Sequence, residues 1–263
     1  MILKEKNVLL CKAAVDSDGE PDLYEEDLQN NGYSVTVIPA IDFKYHTNAE
    51  NTLDNSENYS GIVFTSPRSV IGFSQAINSN LTWFNNSNLQ IYVVGRGTSL
   101  LVEKKFKLKS VGEECGNANI LADLIISHKQ NHAFEKPLLF PCGNLKMDIL
   151  PNKLEKENIP LAPFEVYETI PNVHFEEKFS KLTKFGTECP EFIVFFSPSG
   201  IAASIPLFEK FHIDMEKIKF VAIGPTTEKA MIDKNINVAH VSKKPTPEAL
   251  TEAIKSIHDS AQN

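Results

Sequence analysis

Short runs of four or five apolar residues recur along the chain, separated by longer amphipathic stretches. Runs of that length, rich in Val, Ile and Phe and closed by Gly, Ser or Pro, predict buried strands, and the stretches between them predict helices. The predicted strands are NVLLC (7–11), SVTVI (34–38), GIVFT (61–65), IYVVG (91–95) and LKSVG (108–112). A second set follows: PLLFP (137–141), PFEVY (163–167), FIVFF (192–196), FVAIG (220–224) and NVAHV (237–241). Strand–helix alternation of this kind predicts βα units around parallel sheets.

The second set repeats the first. IVFTSP at 62–67 returns as IVFFSP at 193–198, and YVVGRGTSLLVEKK at 92–105 returns as FVAIGPTTEKAMIDK at 220–234 with Gly95 and Gly224 in register. NILADLI at 119–125 matches EALTEAI at 248–254. Each half therefore predicts one flavodoxin-like doubly wound unit, and the chain a tandem duplication. Ligands of such sheets sit beyond the carboxyl ends of the strands, where these motifs fall. Two such units facing each other would make a cleft.

The junctions after the strands carry a second pattern. Ser66-Pro67, Ser197-Pro198, Gly224-Pro225 and Thr246-Pro247 each follow a predicted strand and precede a helical pattern. Ser, Thr and Gly are good helix N-caps, and proline suits the first helical position, whose N–H has no partner in any case. The Ser66 and Ser197 hydroxyls are thus expected to cap helices rather than act as nucleophiles. The N–H groups one and two residues beyond each proline are expected to point outward, backed by the positive end of the helix dipole. Each such start favours an anion by about 0.3–1 kcal/mol. One alone is how many helices begin; four at corresponding strand ends point to a polyanion.

Composition narrows the reading further. At 263 residues, 42% hydrophobic and 23% charged, the chain describes an ordinary globular protein of one large or two average domains. A net charge of −8 argues against broad nucleic-acid or anionic-membrane binding, though not against a local anion site. Cys11, Cys115, Cys142 and Cys189 are scattered without C-x-x-C spacing and read as free thiols. The N-terminal stretch does not read as a signal peptide, and no apolar run approaches the ~18 residues of a membrane helix. The cytosol is the expected location, and the sequons at Asn58, Asn80 and Asn85 are expected to stay unmodified.

Other chemistries find little support. Ser199 in SPSG lacks the upstream glycine of a nucleophile elbow, and VVGRGTSL lacks the third glycine of a dinucleotide fingerprint. No Walker A sequence occurs. His128 and His132 share a helical spacing, but SHKQNHAFEKP reads as a polar helix end, so no metal site is assigned.

The motifs IVFTSPR (62–68), YVVG (92–95), CGNA (115–118), LLFPCGN (138–144), VYET (166–169), FFSPSG (195–200), AIGPTT (222–227) and PTPEAL (245–250) stand in an order that resembles the uroporphyrinogen-III synthase family, in its eukaryotic form, from about residue 7 to 257. The resemblance implies two interleaved α/β domains, one combining 1–38 with 170–263, the other 42–165. Linker strands at 38–42 and 165–170 would form a two-stranded ladder holding PAID and YETI. It implies a cyclising hydro-lyase of porphyrin and heme biosynthesis that needs no cofactor. The substrate is hydroxymethylbilane, a linear tetrapyrrole with four acetate and four propionate groups, closed with inversion of ring D through a spiro intermediate.

The matching positions imply substrate binding by Thr65, Ser66, Arg68, Gly143, Asn144 and Lys146 on one domain, and by Ser197, Ser199, Gly200, Thr226 and Thr227 on the other. Tyr167 in VYET is the candidate proton donor to the leaving hydroxyl, since a phenol donates at neutral pH. Arg96 departs from the neutral residue expected in the family, and reads either as an added carboxylate contact or as a solvated charge. The family also implies a monomer, with transient handover of substrate from hydroxymethylbilane synthase. Two other classes remain open at this point: a two-lobed small-molecule binding module, and an enzyme acting on a nucleotide.

Overall fold

The computed structural model describes residues 6–13, 22–47, 53, 55–84, 89–129, 134–145 and 148–260. The chain divides into two compact units, Met1–Asp42 with Ile170–Asn263, and Phe43–Thr169. The chain passes from one unit to the other within two strands, β3 (Ile41–Tyr45) and β7 (Leu161–Pro171).

The first unit holds a five-stranded sheet formed by β1 (Asn7–Cys11), β2 (Ser34–Val37), β8 (Phe192–Phe195), β9 (Lys219–Ala222) and β10 (Val238–Val241), in the order β10-β9-β8-β1-β2. Every pair in it is parallel, with Leu9 opposite Ile193 and Phe195 opposite Ala222. Such strands must be apolar on both faces, because helices cover both. Leu9, Ile193, Phe195 and Phe220 join one core with Phe179 of α6 (Phe175–Leu182), Phe208 of α7 (Pro198–Lys210) and Met231 of α8 (Pro225–Ile232). Their alternates Val8, Leu10, Phe192 and Val194 join the other, with Leu28 of α1 (Leu23–Asn30) and Leu250 and Ile254 of α9 (Pro247–Ser260).

The second unit repeats the plan with β4 (Gly61–Phe64), β5 (Gln90–Val93) and β6 (Leu138–Gly143), in the order β3-β7-β6-β4-β5. Ile62, Phe64, Ile91 and Val93 pack with Phe73 of α2 (Pro67–Ala76) and Phe106 of α3 (Arg96–Phe106). Val63, Tyr92 and Phe140 pack on the opposite face with Leu121 of α4 (Ala118–Lys129) and Leu154 of α5 (Ile149–Lys156). The bonds His46 N–H to Val166 O and Asn172 N–H to Ala40 O run in opposite chain directions, so β3 and β7 pair antiparallel.

The apolar runs locate the strands, with two exceptions. The run at 108–112 forms no strand; Val111 alone bridges to Tyr92. Lys109 and Ser110 interrupt its apolar character, which leaves one residue to pair. Conversely, β3 was absent from the apolar runs because IDFKY is half-exposed along most of its length and offers no clean period.

Candidate active site

In the second unit, the chain leaves β4 through Thr65 and starts α2 at Ser66. The Ser66 hydroxyl accepts the Ser69 N–H at 3.2 Å, and Ser69 Oγ donates to Ser66 O at 2.7 Å. Pro67 has no N–H, so among the described residues Arg68 carries the only unpartnered N–H of that first turn. Two free N–H groups per helix start were expected; the cap consumes one of them.

Gly72 then decides where Arg68 goes. A Cβ on Gly72 would lie 2.8 Å from Val166 Cγ2 and 2.9 Å from its carbonyl oxygen, so only glycine lets α2 seat directly on β7. Arg68 is four residues earlier, on the same helix face. Its guanidinium carbon lies 3.9 Å from the centre of the Phe43 ring. Arg68 Nε is shut off from solvent without a hydrogen-bond partner.

Tyr167 stands on β7 beside the end of β6. A Cβ on Gly143 would meet the Tyr167 ring at 2.5 and 2.6 Å and its oxygen at 2.9 Å, so the ring occupies the space a side chain would need. Phe43 and Tyr45 approach the same ring edge-on, with centroids at 5.8 and 6.2 Å. The hydroxyl has no hydrogen-bond partner among the described residues. Asn144 Oδ1 accepts the Thr169 N–H at 2.9 Å, and its backbone N–H donates to Tyr167 O at 3.2 Å. These bonds pin β7, while the side-chain NH2 of the exposed Asn144 has no partner among the described residues. Lys146 lies outside the described residues.

The start of α3 is the feature that sequence reasoning underweighted. Gly95, at φ 80°, leads into the helix with no side-chain cap. The N–H groups of Arg96, Gly97 and Thr98 all lack partners among the described residues, and the exposed Arg96 has no acidic partner there. Val93 pairs with Phe64, so α2 and α3 start side by side. A signal was present in the sequence: the chain contains only two arginines, Arg68 and Arg96, and both stand in these adjacent first turns. Arginine presents a planar fork that fits a carboxylate, which lysine cannot do.

In the first unit, Ser197 caps α7 by accepting the Gly200 N–H at 3.2 Å, with the Ser199 hydroxyl 3.1 Å away. Ser199 keeps the free N–H. At α8 the Thr227 N–H, expected to point outward, instead donates to Gly224 O at 3.1 Å; Thr226 keeps the free one, and Thr227 is buried. The starts of α8 and α9 differ from those of α2, α3 and α7, because Glu228 and Glu248 place a carboxylate in their first turns. Like-charge repulsion weakens both as anion sites. Beside these starts, Lys12 is neutralised by Asp22 at 2.6 Å and packed on the Tyr24 and Phe196 rings.

Three of the four thiols are held in their unreactive, protonated form. Burial pushes the Cys11 thiol up to about 12, only partly opposed by its hydrogen bond to Ser204, and it raises Cys115 and Cys189 as well. A thiol so placed is no nucleophile at neutral pH. His128 Nδ1 lies 3.3 Å from the buried Tyr92 hydroxyl, and His132 is outside the described residues. No helix among the described residues is long and apolar enough to cross a membrane.

Residues 22–252 match the family described as HEM4, uroporphyrinogen-III synthase HemD. The uroporphyrinogen-III synthase of Saccharomyces cerevisiae is 29% identical over 255 residues, covering 89% of this chain and 91% of that protein. Its counterpart in Schizosaccharomyces pombe is 27% identical over 240 residues, with the same coverage of 89% and 91%. Among solved structures, the uroporphyrinogen-III synthetase of Helicobacter pylori shares the fold, with a TM-score of 0.64 at 16% identity across 96% of this chain and 99% of that one. With nearly its whole length matched, the chain belongs to the uroporphyrinogen-III synthase family.

Proposed function

We propose that the protein cyclises hydroxymethylbilane to uroporphyrinogen III, with loss of water and inversion of ring D through a spiro intermediate, and that helix starts at the carboxyl edges of its sheets bind the substrate carboxylates. In the second unit these are the starts of α2 and α3, through the Arg68 N–H, the three free N–H groups of Arg96, Gly97 and Thr98, and both guanidinium groups. Thr65 and Gly143 shape that edge. In the first unit they are the starts of α7 and α8, through the N–H groups of Ser199 and Thr226, with Ser197, Gly200 and Thr227 holding those turns in place.

The observation that carries this reading is the placement of both arginines of a net −8 chain in adjacent first turns, with no acidic partner among the described residues. Uncatalysed closure of the bilane gives the uninverted isomer, so the main task is to hold the chain of rings in one arrangement, which fixed dipoles and forks can do. Tyr167 donates the proton that leaves with the hydroxyl, and no cofactor takes part. The two compact units serve as the two interleaved domains, joined through the strands around 38–42 and 165–170. The protein works as a cytosolic monomer that receives its substrate by transient handover from hydroxymethylbilane synthase.

The test is a pair of neutral substitutions, Arg68→Gln and Arg96→Gln. Each is expected to raise KM for hydroxymethylbilane roughly 10- to 100-fold, the value of about one charge-assisted hydrogen bond. An unchanged KM in the double variant would contradict the assignment of this edge as the carboxylate site.

A further inference from the structure

We propose that Phe43 is a positioning residue of the cyclisation: its ring is the platform that holds the Arg68 guanidinium ready for a substrate carboxylate. This rests on the reading of Arg68 as a carboxylate contact. At 3.9 Å from guanidinium carbon to ring centre, the two groups are stacked in van der Waals contact, well inside the ~6 Å reach of a cation–π pair. The stack has a visible cost, since Arg68 Nε loses solvent and gains no hydrogen bond. The two terminal nitrogens of the same guanidinium have no partner among the described residues and are not shut off from solvent, so the fork faces outward while the inner edge is buried.

That arrangement is what preorganisation requires. A free arginine side chain surrenders up to ~2 kcal/mol of rotamer freedom when it grips a ligand, and a side chain already held on a ring surrenders less. Two further features converge on the platform. Gly72 brings α2 onto Val166, which sets the height of Arg68 above β3. The Tyr167 ring meets Phe43 edge-on at 5.8 Å, so the carboxylate contact and the proton donor lean on one aromatic ring. Phe43 itself carries no group that could bind or react with the bilane carboxylates, so its contribution acts through Arg68.

The experiment is a double-substitution cycle on KM for hydroxymethylbilane, with a thermal melt of every variant. Phe43→Leu keeps bulk and removes the π face; it is expected to raise KM roughly three- to tenfold, the worth of one partly exposed cation–π contact. Phe43→Trp, which keeps a face, is expected to raise KM less. In an Arg68→Leu background, Phe43→Leu is expected to add nothing further. A KM rise from Phe43→Leu that is equal in both backgrounds would show a merely structural role and overturn the proposal. A rise with Arg68→Leu but none with Phe43→Leu would overturn it while leaving Arg68 as a contact. No rise with Arg68→Leu would remove the contact itself and the platform with it. Should Phe43→Leu fail to fold, Phe43→Met carries the same cycle with the same outcomes.

Discussion

Replacing Tyr167 by phenylalanine removes one oxygen and leaves the ring where it is. The hydroxyl has no hydrogen bond to lose among the described residues, and the ring is held by the Gly143 backbone and by Phe43 and Tyr45. The stability change is therefore expected to stay within about 0.5 kcal/mol, a shift in Tm of roughly 2 °C or less for a chain of this size. The effect on turnover follows from what the hydroxyl does. If it hydrogen-bonds the leaving hydroxide, its loss costs at least about 1.4 kcal/mol of barrier, or tenfold; full general-acid catalysis starts near 100-fold. Because the bilane also closes unaided, the expected fall in kcat is about 10- to 100-fold. The product should remain type III, since ring inversion depends on how the substrate is held. The assay is single-variant kinetics with oxidised products separated by isomer, alongside a melt. Wild-type kcat in a well-folded variant would refute the donor role, and an unchanged kcat with a lowered Tm would make Tyr167 a structural residue only.

Gly143→Ala places a methyl group 2.5 Å from that same ring and must displace it, so kcat should fall at least as far as in Tyr167→Phe; equal activity to wild type would show that ring position is unimportant. Gly72→Ala forces α2 off Val166 at an overpacking cost of about 1–3 kcal/mol, lowering Tm by several degrees and raising KM through Arg68; an unchanged melt would contradict the close seating. Ser66→Ala removes a helix cap worth about 1 kcal/mol but no nucleophile, so a lowered Tm with type III product still formed is expected, whereas complete loss of turnover in folded protein would reopen a catalytic serine. Cys11 ionises near 9 when unfolded and near 12 when folded, so its contribution is fully present below pH 9 and drains away between pH 9 and 12. Denaturant melts across that range should show a shallower alkaline decline in Cys11→Ala than in the parent, and identical slopes would contradict the burial.

Parallel strands buried on both faces announce themselves as unbroken apolar runs, which is why FIVF and GIVF were legible and why their shared Ser-Pro endings located α7 and α2. The antiparallel β3 was not, because its half-exposed residues carry no period that separates it from a loop. The helix starts were placed by capping chemistry, but the number of N–H groups each leaves free depends on where the cap bond lands, as Thr227 shows. Asn144 reads as a polar binding residue in sequence; that its Oδ1 also fastens β7 was not legible, since its partner Thr169 is distant along the chain. Phe43 carries no motif at all; its meaning comes from Gly72, which lets a helix approach close enough to lay an arginine on it.

The most direct measurement is a coupled assay in which porphobilinogen and hydroxymethylbilane synthase generate the bilane with and without this protein, and the oxidised uroporphyrin isomers are separated. Type I product alone is expected without the protein, and type III with it. Type I in both arms, from protein that melts cooperatively, would contradict the assignment of this chain as the enzyme that inverts ring D.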